Sequence, residues 1–297
     1  MSDDASGSTP NSTSSAGLVL VSVPIGNLGD MTPRARSALA AADLVLCEDS
    51  RVTRRLLTAL GITARLQPLH DHNEAREVEG LLARLAAGEH LALVSDAGTP
   101  LVSDPGFRLV RAAIAAGFAV TAVPGANAAL MALTLSGLPP HPCLFLGFLP
   151  PRAAARRAAF ADVRRWEAAG LAATLIWHEA PHRLAEALDD AAAVLGARAA
   201  AVARELTKHF EEVRRATLPE LAAHYAAHPA RGEITLVVAG AAPEAPLAED
   251  LDTLLRAALA ETSLKEAVAR VAAATGRPRR EVYARALRAS QARRGEE

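Results

Sequence analysis

Two aspartates, Asp96 and Asp104, stand in one loop, VSDAGTPLVSDPG at 94–106, directly after the apolar run at 91–94. That run predicts a buried parallel strand, and open α/β sheets bind their ligands at the carboxyl ends of such strands. Two glycines let a ligand approach the main chain, and two prolines stiffen the loop. We therefore favour a ligand-binding loop over the alternative, an ordinary connection between a strand and a helix.

Further acid–base groups follow other apolar runs. Glu179 lies within WHEAPHR at 177–183, at a predicted strand end, and Glu205 and Lys208 follow the next predicted strand. Carboxylates and amines in such positions can hold or accept a substrate proton. A metal site is less favoured, because HDHNE at 70–74 lacks helical ligand spacing and has no third ligand cluster near it in the sequence.

Two smaller groups have less specific patterns. Glu48 and Asp49 follow a predicted strand, where they could bind a hydroxyl or a basic group, or could equally pair with nearby arginines. Cys47 and Cys143 lie in apolar runs and are both predicted to be core residues, not parts of a disulfide framework or a zinc site.

The loop at 94–106, which contains Asp96 and Asp104, must be positioned by the strands and helices predicted between residues 18 and 136. Apolar runs alternate with helical stretches, a pattern typical of a parallel α/β sheet. Gly/Pro-rich loops at 22–30 and 124–129 also follow strands, although the first lacks both a GxGxxG fingerprint and a P-loop lysine. Small residues in the second could admit a flat ligand to a helix start, or could simply pack a strand on a helix.

The stretch PPHP at 139–142 interrupts this alternation and marks a second α/β lobe. Its first helical stretch is strongly basic, so it could contact phosphates or could be an ordinary solvated face. The arginines of this stretch are Arg152, Arg156, Arg157, Arg164 and Arg165.

The carboxyl-terminal region predicts a small basic helical module. After a linker at 242–246, a capping box at Ser263 and Glu266 opens one helix, and TGRP at 275–278 separates it from a second. Nine basic residues against two acidic ones between 264 and 294 favour RNA or another polyanion as the partner. The basic residues are Lys265, Arg270, Arg277, Arg279, Arg280, Arg285, Arg288, Arg293 and Arg294.

Length, charge and composition limit the class of protein to which the chain can belong. The chain has 297 residues and a formal net charge of −1, so any attraction to nucleic acid must come from local patches. No run is long enough for a transmembrane helix, and the polar amino terminus does not resemble a secretory signal, so we expect a soluble, cytoplasmic protein. The predicted parts are a disordered tail (1–16), two α/β lobes (17–138 and 139–242) and the basic module (247–293).

Eight ordered segments resemble the family of ribosomal RNA small subunit methyltransferases I, within the tetrapyrrole methylase superfamily. The resemblance covers about residues 17–292. The segments are VPIGNLGDMTPRA (23–35), CEDSRVTRRLL (47–57), HDHNE (70–74), SDAGTPLVSDPG (95–106), VPGANAA (123–129), EAPHRL (179–184), ARELTK (203–208) and GEITLVV (232–238). The chain departs from the family at His178, where members often have tyrosine.

The resemblance implies S-adenosylmethionine as methyl donor, no metal, and the ribose 2′-hydroxyl of a cytidine in the decoding centre of 16S ribosomal RNA as acceptor. It implies two α/β lobes of tetrapyrrole-methylase type with the donor in the cleft between them, and usually a homodimer. The positions that it assigns to the donor site are Pro24, Asp96, Ala97, Gly98, Thr99, Pro100, Pro124, Gly125, Ala126, the segment around Glu179, and Leu236.

A ribose hydroxyl is a poor nucleophile while protonated, so a base or a strong acceptor should help. Glu205 and Lys208 are the expected substrate-side groups, Asp96 is expected to position the donor, and Glu179 could do either. The expected RNA contacts, which would position phosphates without reading bases, are Arg152, Arg156, Arg157, Arg277, Arg279 and Arg280. The alternatives are a small-molecule methylase of tetrapyrrole type and a non-catalytic, ribosome-associated RNA-binding protein.

Overall fold

Short apolar strands build the first sheet because each buried run ends in a loop that turns the chain into a helix. The computed structural model describes residues 17–241 and 248–295, so the expected tail at 1–16 and the linker at 242–246 lie outside the described residues. The strands of the first sheet are β1 (Gly17–Val21), β2 (Leu44–Cys47), β3 (Leu66–Pro68), β4 (Leu91–Leu93) and β5 (Ala119–Val123). They pair in parallel in the order β3-β2-β4-β1-β5, so the predicted parallel sheet is confirmed.

Capping residues start the helices of this lobe where the sequence predicts. Thr32 accepts a hydrogen bond from the Ala35 N–H, with Pro33 next to it, and Asn127 accepts one from the Leu130 N–H. Asn73 occupies an N-cap position, but its side chain bonds the His70 N–H and the Pro68 carbonyl instead. The helices are α1 (Pro33–Ala41), α2 (Ser50–Ala59), α3 (Glu74–Ala86), α4 (Phe107–Ala115) and α5 (Ala128–Ser136).

A second, mixed sheet follows. Its strands are β6 (Cys143–Phe148), β7 (Thr174–Glu179), β8 (Ala199–Arg204), β9 (Glu212–Thr217) and β10 (Ile234–Val238), in the order β6-β7-β10-β8-β9. Only β6 and β7 run parallel, and the other pairs are antiparallel. Its helices are α6 (Ala153–Ala168), α7 (Leu184–Leu195) and α8 (Leu218–Ala227).

Helix α5 packs on this second sheet although it precedes the PPHP break. Its Ala132 and Leu133 lie in one apolar cluster with Ile176 of β7 and Val237 of β10. Ile25, from the loop after β1, lies in the same cluster. The two lobes therefore share a core and form one compact unit that ends at Gly240.

The carboxyl-terminal module is a separate unit of three helices, α9 (Ala248–Glu261), α10 (Leu264–Thr275) and α11 (Arg279–Gly295). The predicted capping box is present, since Ser263 accepts from the Glu266 N–H and Glu266 from the Ser263 N–H. The sequence prediction of two helices missed α9, whose Leu251 and Leu255 pack against Val268 and Val271 of α10.

The two cysteines differ in environment. Cys47 is buried in β2, as predicted, but Cys143 is exposed at the start of the edge strand β6, so its assignment to the core was wrong. Among the described residues, no helix is both long and apolar enough to cross a membrane.

Candidate active site

A cavity of about 330 Å³ lies where the loop after β4 faces the ends of β7 and β10. This volume falls in the range of small-molecule sites, about 300–1,000 Å³. Five of the residues singled out from the sequence line it, namely Asp96, Ala97, Gly98, Thr99 and Glu179. Asp104 of the predicted ligand-binding loop and His178 also line it, as do residues that the sequence did not point to, including Asn127, Ala128 and Thr235.

Backbone bonds hold three strand-end loops together around this cavity. The Val23 and Gly98 backbones exchange two hydrogen bonds, of 2.8 and 3.1 Å, and Thr99 Oγ1 donates to the Ala126 carbonyl at 3.1 Å. Gly98 has a φ of 74°, which favours glycine. Pro100, Pro124, Gly125 and Ala126 do not line the cavity, although Ala126 bonds Thr99, which does.

Burial raises the pKa of two carboxyl groups in the cavity, those of Asp96 and Asp104. Asp96 accepts a hydrogen bond from the Asp49 N–H at 3.1 Å, yet burial raises the pKa of its carboxyl. Burial, followed by the charges of Glu48 and Asp96, raises the pKa of Asp104 to about 7. Asp104 therefore changes its charge near neutral pH, a property that the loop sequence did not reveal.

Glu179 carries one partnered and one unpartnered oxygen. The residue is 2% exposed, and its Oε1 accepts from the Ala180 N–H at 2.7 Å and from Arg183 Nε at 2.8 Å. Its Oε2 is buried and has no hydrogen-bond partner within the described part of the chain. Because a buried oxygen without a partner is costly, this atom is poised to accept a hydrogen bond from a ligand.

His178 forms a neutral wall of the same cavity. Its ring lies 5.1 Å from that of Phe145 and 5.4 Å from that of Phe148, and its Nδ1 is 3.1 Å from Thr235 Oγ1. Burial lowers the pKa of the His178 imidazole, although the Glu233 charge opposes the shift. The position departs from the family's tyrosine but keeps a flat polar ring.

A second cavity of about 470 Å³ adjoins the first. The two share Ile25, Asp96, Ala97 and Glu233 as lining residues, so they meet beside Asp96. The residues that line only the second cavity are Pro24, Gly26, Leu28, Arg55, Leu56, Ala59 and Lys208. The predicted donor residue Pro24 thus belongs to this neighbouring space.

Lys208 and Glu205 form an ion-pair cluster at the second cavity. Lys208 Nζ lies 2.8 Å from Glu205 Oε1 and 3.2 Å from Glu233 Oε2, and its stem crosses Gly26, where a Cβ would overlap it. Burial lowers the pKa of Lys208, but the bonds and charges of Glu205 and Glu233 raise it by more. The hydrogen bond from Lys208 in turn lowers the pKa of Glu205. Lys208 is therefore held as a cation, which argues against it as a base.

Backbone strain is concentrated in the same two loops. Within the described residues, every non-glycine residue with positive φ lies in the loop after β4 or the loop after β8. They are Leu101 (70°), Ser103 (70°), Glu205 (51°) and Thr207 (67°). Such strain persists only where surrounding contacts hold it, and it is often found at functional sites.

Two predicted site residues are wrong. Arg156 is 1% exposed and bonded to Asp190, so it cannot reach an RNA phosphate. Leu236 is fully buried in the core of the second lobe, where it packs with Leu175 and Trp177. The residues of β10 that line the cavity are Ile234 and Thr235, at the start of the strand.

The other predicted RNA contacts are on the surface. Arg152, Arg279 and Arg280 are exposed, and Arg157 is exposed but pairs with Asp190. Arg277 pairs with Glu281 at 2.5 Å. The side chains of Arg293 and Arg294 lie outside the described residues. The rings of His70 and His72 are 6.0 Å apart, and no cluster of three or more potential metal ligands occurs in the part of the chain that the structure describes.

Two protein-family models match this chain, one in each of its two compact units. Residues 17–222 match the model of the Tetrapyrrole (Corrin/Porphyrin) Methylases, and residues 245–290 match that of the RsmI C-terminal HTH domain.

Three curated relatives, each named Ribosomal RNA small subunit methyltransferase I, match nearly the whole chain. The protein from Mesorhizobium japonicum is 48% identical, covering 91% of each chain. That from Micromonospora olivasterospora is 48% identical over 90% of this chain and 85% of its own. That from Escherichia coli O157:H7 is 44% identical over 91% of this chain and 94% of its own.

Solved structures share the fold at lower identity. Uroporphyrin-III-C-methyltransferase from Thermus thermophilus aligns with a TM-score of 0.51 and 21% identity, over 76% of this chain and 94% of its own. Diphthine synthase aligns with a TM-score of 0.56 and 16% identity, over 75% and 90%. At these identities the likeness supports the fold alone.

Proposed function

The chain belongs to the tetrapyrrole (corrin/porphyrin) methylases, and from that membership we propose that it transfers a methyl group from S-adenosylmethionine to ribosomal RNA of the small subunit. The observation that carries the proposal is 44–48% identity, over 90–91% of the chain, to methyltransferases of that name. More finely, we propose the ribose 2′-hydroxyl of a cytidine in the decoding centre of 16S ribosomal RNA as acceptor, and a cytoplasmic homodimer as the active form.

The lining of the first cavity fits such a donor. When bound, S-adenosylmethionine supplies an electrophilic methyl group on a positively charged sulfur. Asp96 and Asp104 bring negative charge to the cavity, and the unpartnered Oε2 of Glu179 offers a hydrogen-bond acceptor. The uncharged wall of His178 and Phe148 suits the apolar parts of the molecule.

Orientation is the main contribution that this chain can make. The methyl group needs little activation, so aligning the acceptor oxygen behind it can lower the barrier by about 7–11 kcal/mol at best. The double hydrogen bond between Val23 and Gly98 stiffens the wall that would hold the donor. Because Asp96 lines both cavities, a donor in the first cavity and an acceptor in the second would meet beside it.

The three catalytic candidates fall into two roles. Lys208 and Glu205 neutralise one another at the second cavity, which supports roles in binding the substrate and leaves neither suited to be a base. Glu179 is the candidate with a free acceptor oxygen, so it can bind the donor or accept a proton. Methyl transfer from a sulfonium donor to a hydroxyl needs no metal.

Methyl transfer to purified small ribosomal subunits tests the proposal. With labelled S-adenosylmethionine, we expect one alkali-resistant ribose position near the decoding centre. Donor binding without transfer to subunits would instead favour a small-molecule methylase of the same fold. Absence of donor binding would contradict the enzyme and favour an RNA-binding protein.

Donor affinity should depend on pH through Asp104. This carboxyl has a pKa of about 7, so it is neutral below pH 7 and becomes negative as the pH rises through 7. Because the donor carries a net positive charge, its affinity should rise between pH 6 and pH 8. Complete ionisation should add about 1 kcal/mol, the attraction of two unit charges about 4 Å apart in water, so the gain between pH 6 and pH 8 should be roughly threefold. Calorimetric titration at three pH values measures it.

Asp104→Asn is the matched control for that titration. It keeps a polar side chain of similar size but cannot ionise, so the part of the pH dependence due to Asp104 should disappear while the donor's own ionisation remains. Equal pH profiles for the wild type and this variant would show that Asp104 does not govern donor binding.

The carboxyl-terminal module should bind ribosomal phosphates through Arg279 and Arg280, which are exposed. Replacing both with alanine should raise KM for subunits severalfold and reduce the salt slope of binding by about 1–2, since each phosphate contact adds about 0.7–0.9. Donor affinity should not change. Arg270→Ala is the control, because Arg270 already pairs with Glu261 at 3.0 Å.

A further inference from the structure

The second cavity, of about 470 Å³, is the space in which the acceptor would lie, and its lining indicates which part of the acceptor it can hold. It lies between helix α2, which contributes Arg55, Leu56 and Ala59, and the loop from Pro24 to Leu28. Ile25, Asp96, Ala97 and Glu233 line both cavities, so a molecule held in the second would abut one held in the first. Whatever occupies the second cavity is therefore placed to react with the first cavity's ligand.

Two cations, Arg55 and Lys208, line this cavity together with the carboxylates of Asp96 and Glu233. The cation of Lys208 is matched by Glu205 and Glu233, at 2.8 and 3.2 Å. Arg55, by contrast, is exposed and makes no hydrogen bond or ion pair within the described residues. This guanidinium can bind an anionic group of a ligand, and the geometry of its N–H donors matches the oxygens of a phosphate.

The remaining lining is apolar and open. Leu28 is 50% exposed, and Pro24, Leu56 and Ala59 extend the same surface. An apolar face beside a cation suits a nucleotide, whose base or sugar can lie on the face while its phosphate meets the arginine. A cationic donor would gain nothing from Arg55, whereas a nucleotide phosphate would, so the Arg55 side of the second cavity suits the substrate and not the donor.

We propose that the second cavity seats the target nucleotide of the RNA strand, with Arg55 bonding its phosphate and its ribose turned toward Asp96 and Ala97. This inference rests on the proposed function and specifies where the target nucleotide binds and which way its phosphate and its ribose face. Lys208 and Glu233 also line this cavity, and the pairing of Lys208 with Glu233 and Glu205 leaves Arg55 as the group that can hold the phosphate.

The variant Arg55→Ala tests the proposal, and Arg54→Ala is its matched control. Arg54 neighbours Arg55 on α2, is exposed and unpaired within the described residues, but does not line the cavity. We expect Arg55→Ala to raise KM for small subunits about tenfold or more, the weight of one charge-assisted hydrogen bond. The salt slope of subunit binding, measured without donor, should fall by about 0.7. Arg54→Ala should leave both within twofold of the wild type.

Ala59→Trp gives an independent test by filling the cavity. Ala59 is exposed near the end of α2, so the fold should tolerate the change. We expect this variant to lose subunit binding while its donor affinity, measured by calorimetry, stays unchanged. A loss of donor affinity in Ala59→Trp or Arg55→Ala would overturn the proposal by making the cavity part of the donor site. Equal KM values for Arg55→Ala and Arg54→Ala would also overturn it.

The proposed function fails in a different way. If the wild type binds the donor but transfers no methyl group to subunits, the substrate itself is wrong. If the wild type transfers methyl groups to subunits and the Arg55→Ala and Ala59→Trp variants do so equally well, the proposed function holds but the nucleotide binds elsewhere.

Discussion

Replacing Asp96 with alanine is expected to raise the Kd for S-adenosylmethionine by roughly 10–150-fold, the weight of a hydrogen bond to a charged group, about 1.5–3 kcal/mol. Asp96 stands at the end of β4 and lines both cavities. The substitution removes a negative charge that faces a cationic ligand. It also deprives the Asp49 N–H of its acceptor at 3.1 Å, so the loop after β2 loses an anchor. Calorimetric titration measures the loss.

Asp96→Asn separates these two effects. The amide oxygen can still accept from the Asp49 N–H, so the loops should keep their positions while the charge is lost. We expect an affinity between those of the wild type and the alanine variant. Asp43→Ala, which removes an exposed carboxylate paired with His90 at 3.5 Å, should leave the affinity unchanged. Unchanged donor affinity in Asp96→Ala would rule out the assignment of this site.

Replacing Asp190 with alanine is expected to lower the free energy of unfolding by about 3–5 kcal/mol, as for other buried ion pairs that lose one partner. Arg156 donates to Asp190 through Nε at 2.7 Å, and its second contact, from an NH group, is 2.6 Å. The Arg156 side chain is 1% exposed, so the variant leaves a cation buried. Glu186 is 3.7 Å from Arg156 but is itself 78% exposed, so it compensates little. Denaturant unfolding measures the difference.

Two further variants show whether the buried charge is the cause. Arg152→Ala removes an exposed arginine just before the same helix and should change stability by less than about 0.5 kcal/mol. Combining Asp190→Leu with Arg156→Met removes both charges and should restore most of the stability. A small effect of Asp190→Ala would mean that Arg156 finds water or another partner, and its assignment as an RNA contact would again be open.

Local chemistry explains where sequence interpretation succeeded. Thr32 with Pro33 and Ser263 with Glu266 cap their helices through neighbours three residues away or less, so no distant contact is needed to predict them. The buried run at the start of β4 is apolar because both faces of a central parallel strand are covered. The order and spacing of the loop motifs then identified the family.

The failures involve residues whose environment depends on distant partners. Strand β9, whose sequence is EVRRAT, has no apolar alternation, and it forms because β8 offers an edge for it to pair with. Arg156 looks like its basic neighbours until Asp190, 34 residues away, is brought beside it. Cys143 lies in an apolar run, but its strand is at the edge of the sheet.

By itself, the sequence determined the parallel first sheet, the helix caps, the basic carboxyl-terminal helices and the loop that contains Asp96, because backbone propensities, capping and hydrophobic periodicity act over a few residues. Only the tertiary structure decided that Asp104 ionises near neutral pH, that Glu179 keeps an unpartnered oxygen, and that two cavities meet beside Asp96. Burial, Coulomb interactions and cavity shape depend on which residues become neighbours in space. Those neighbours come from segments up to about 180 residues apart, as the packing of the Lys208 side chain on Gly26 shows, and no local pattern encodes them.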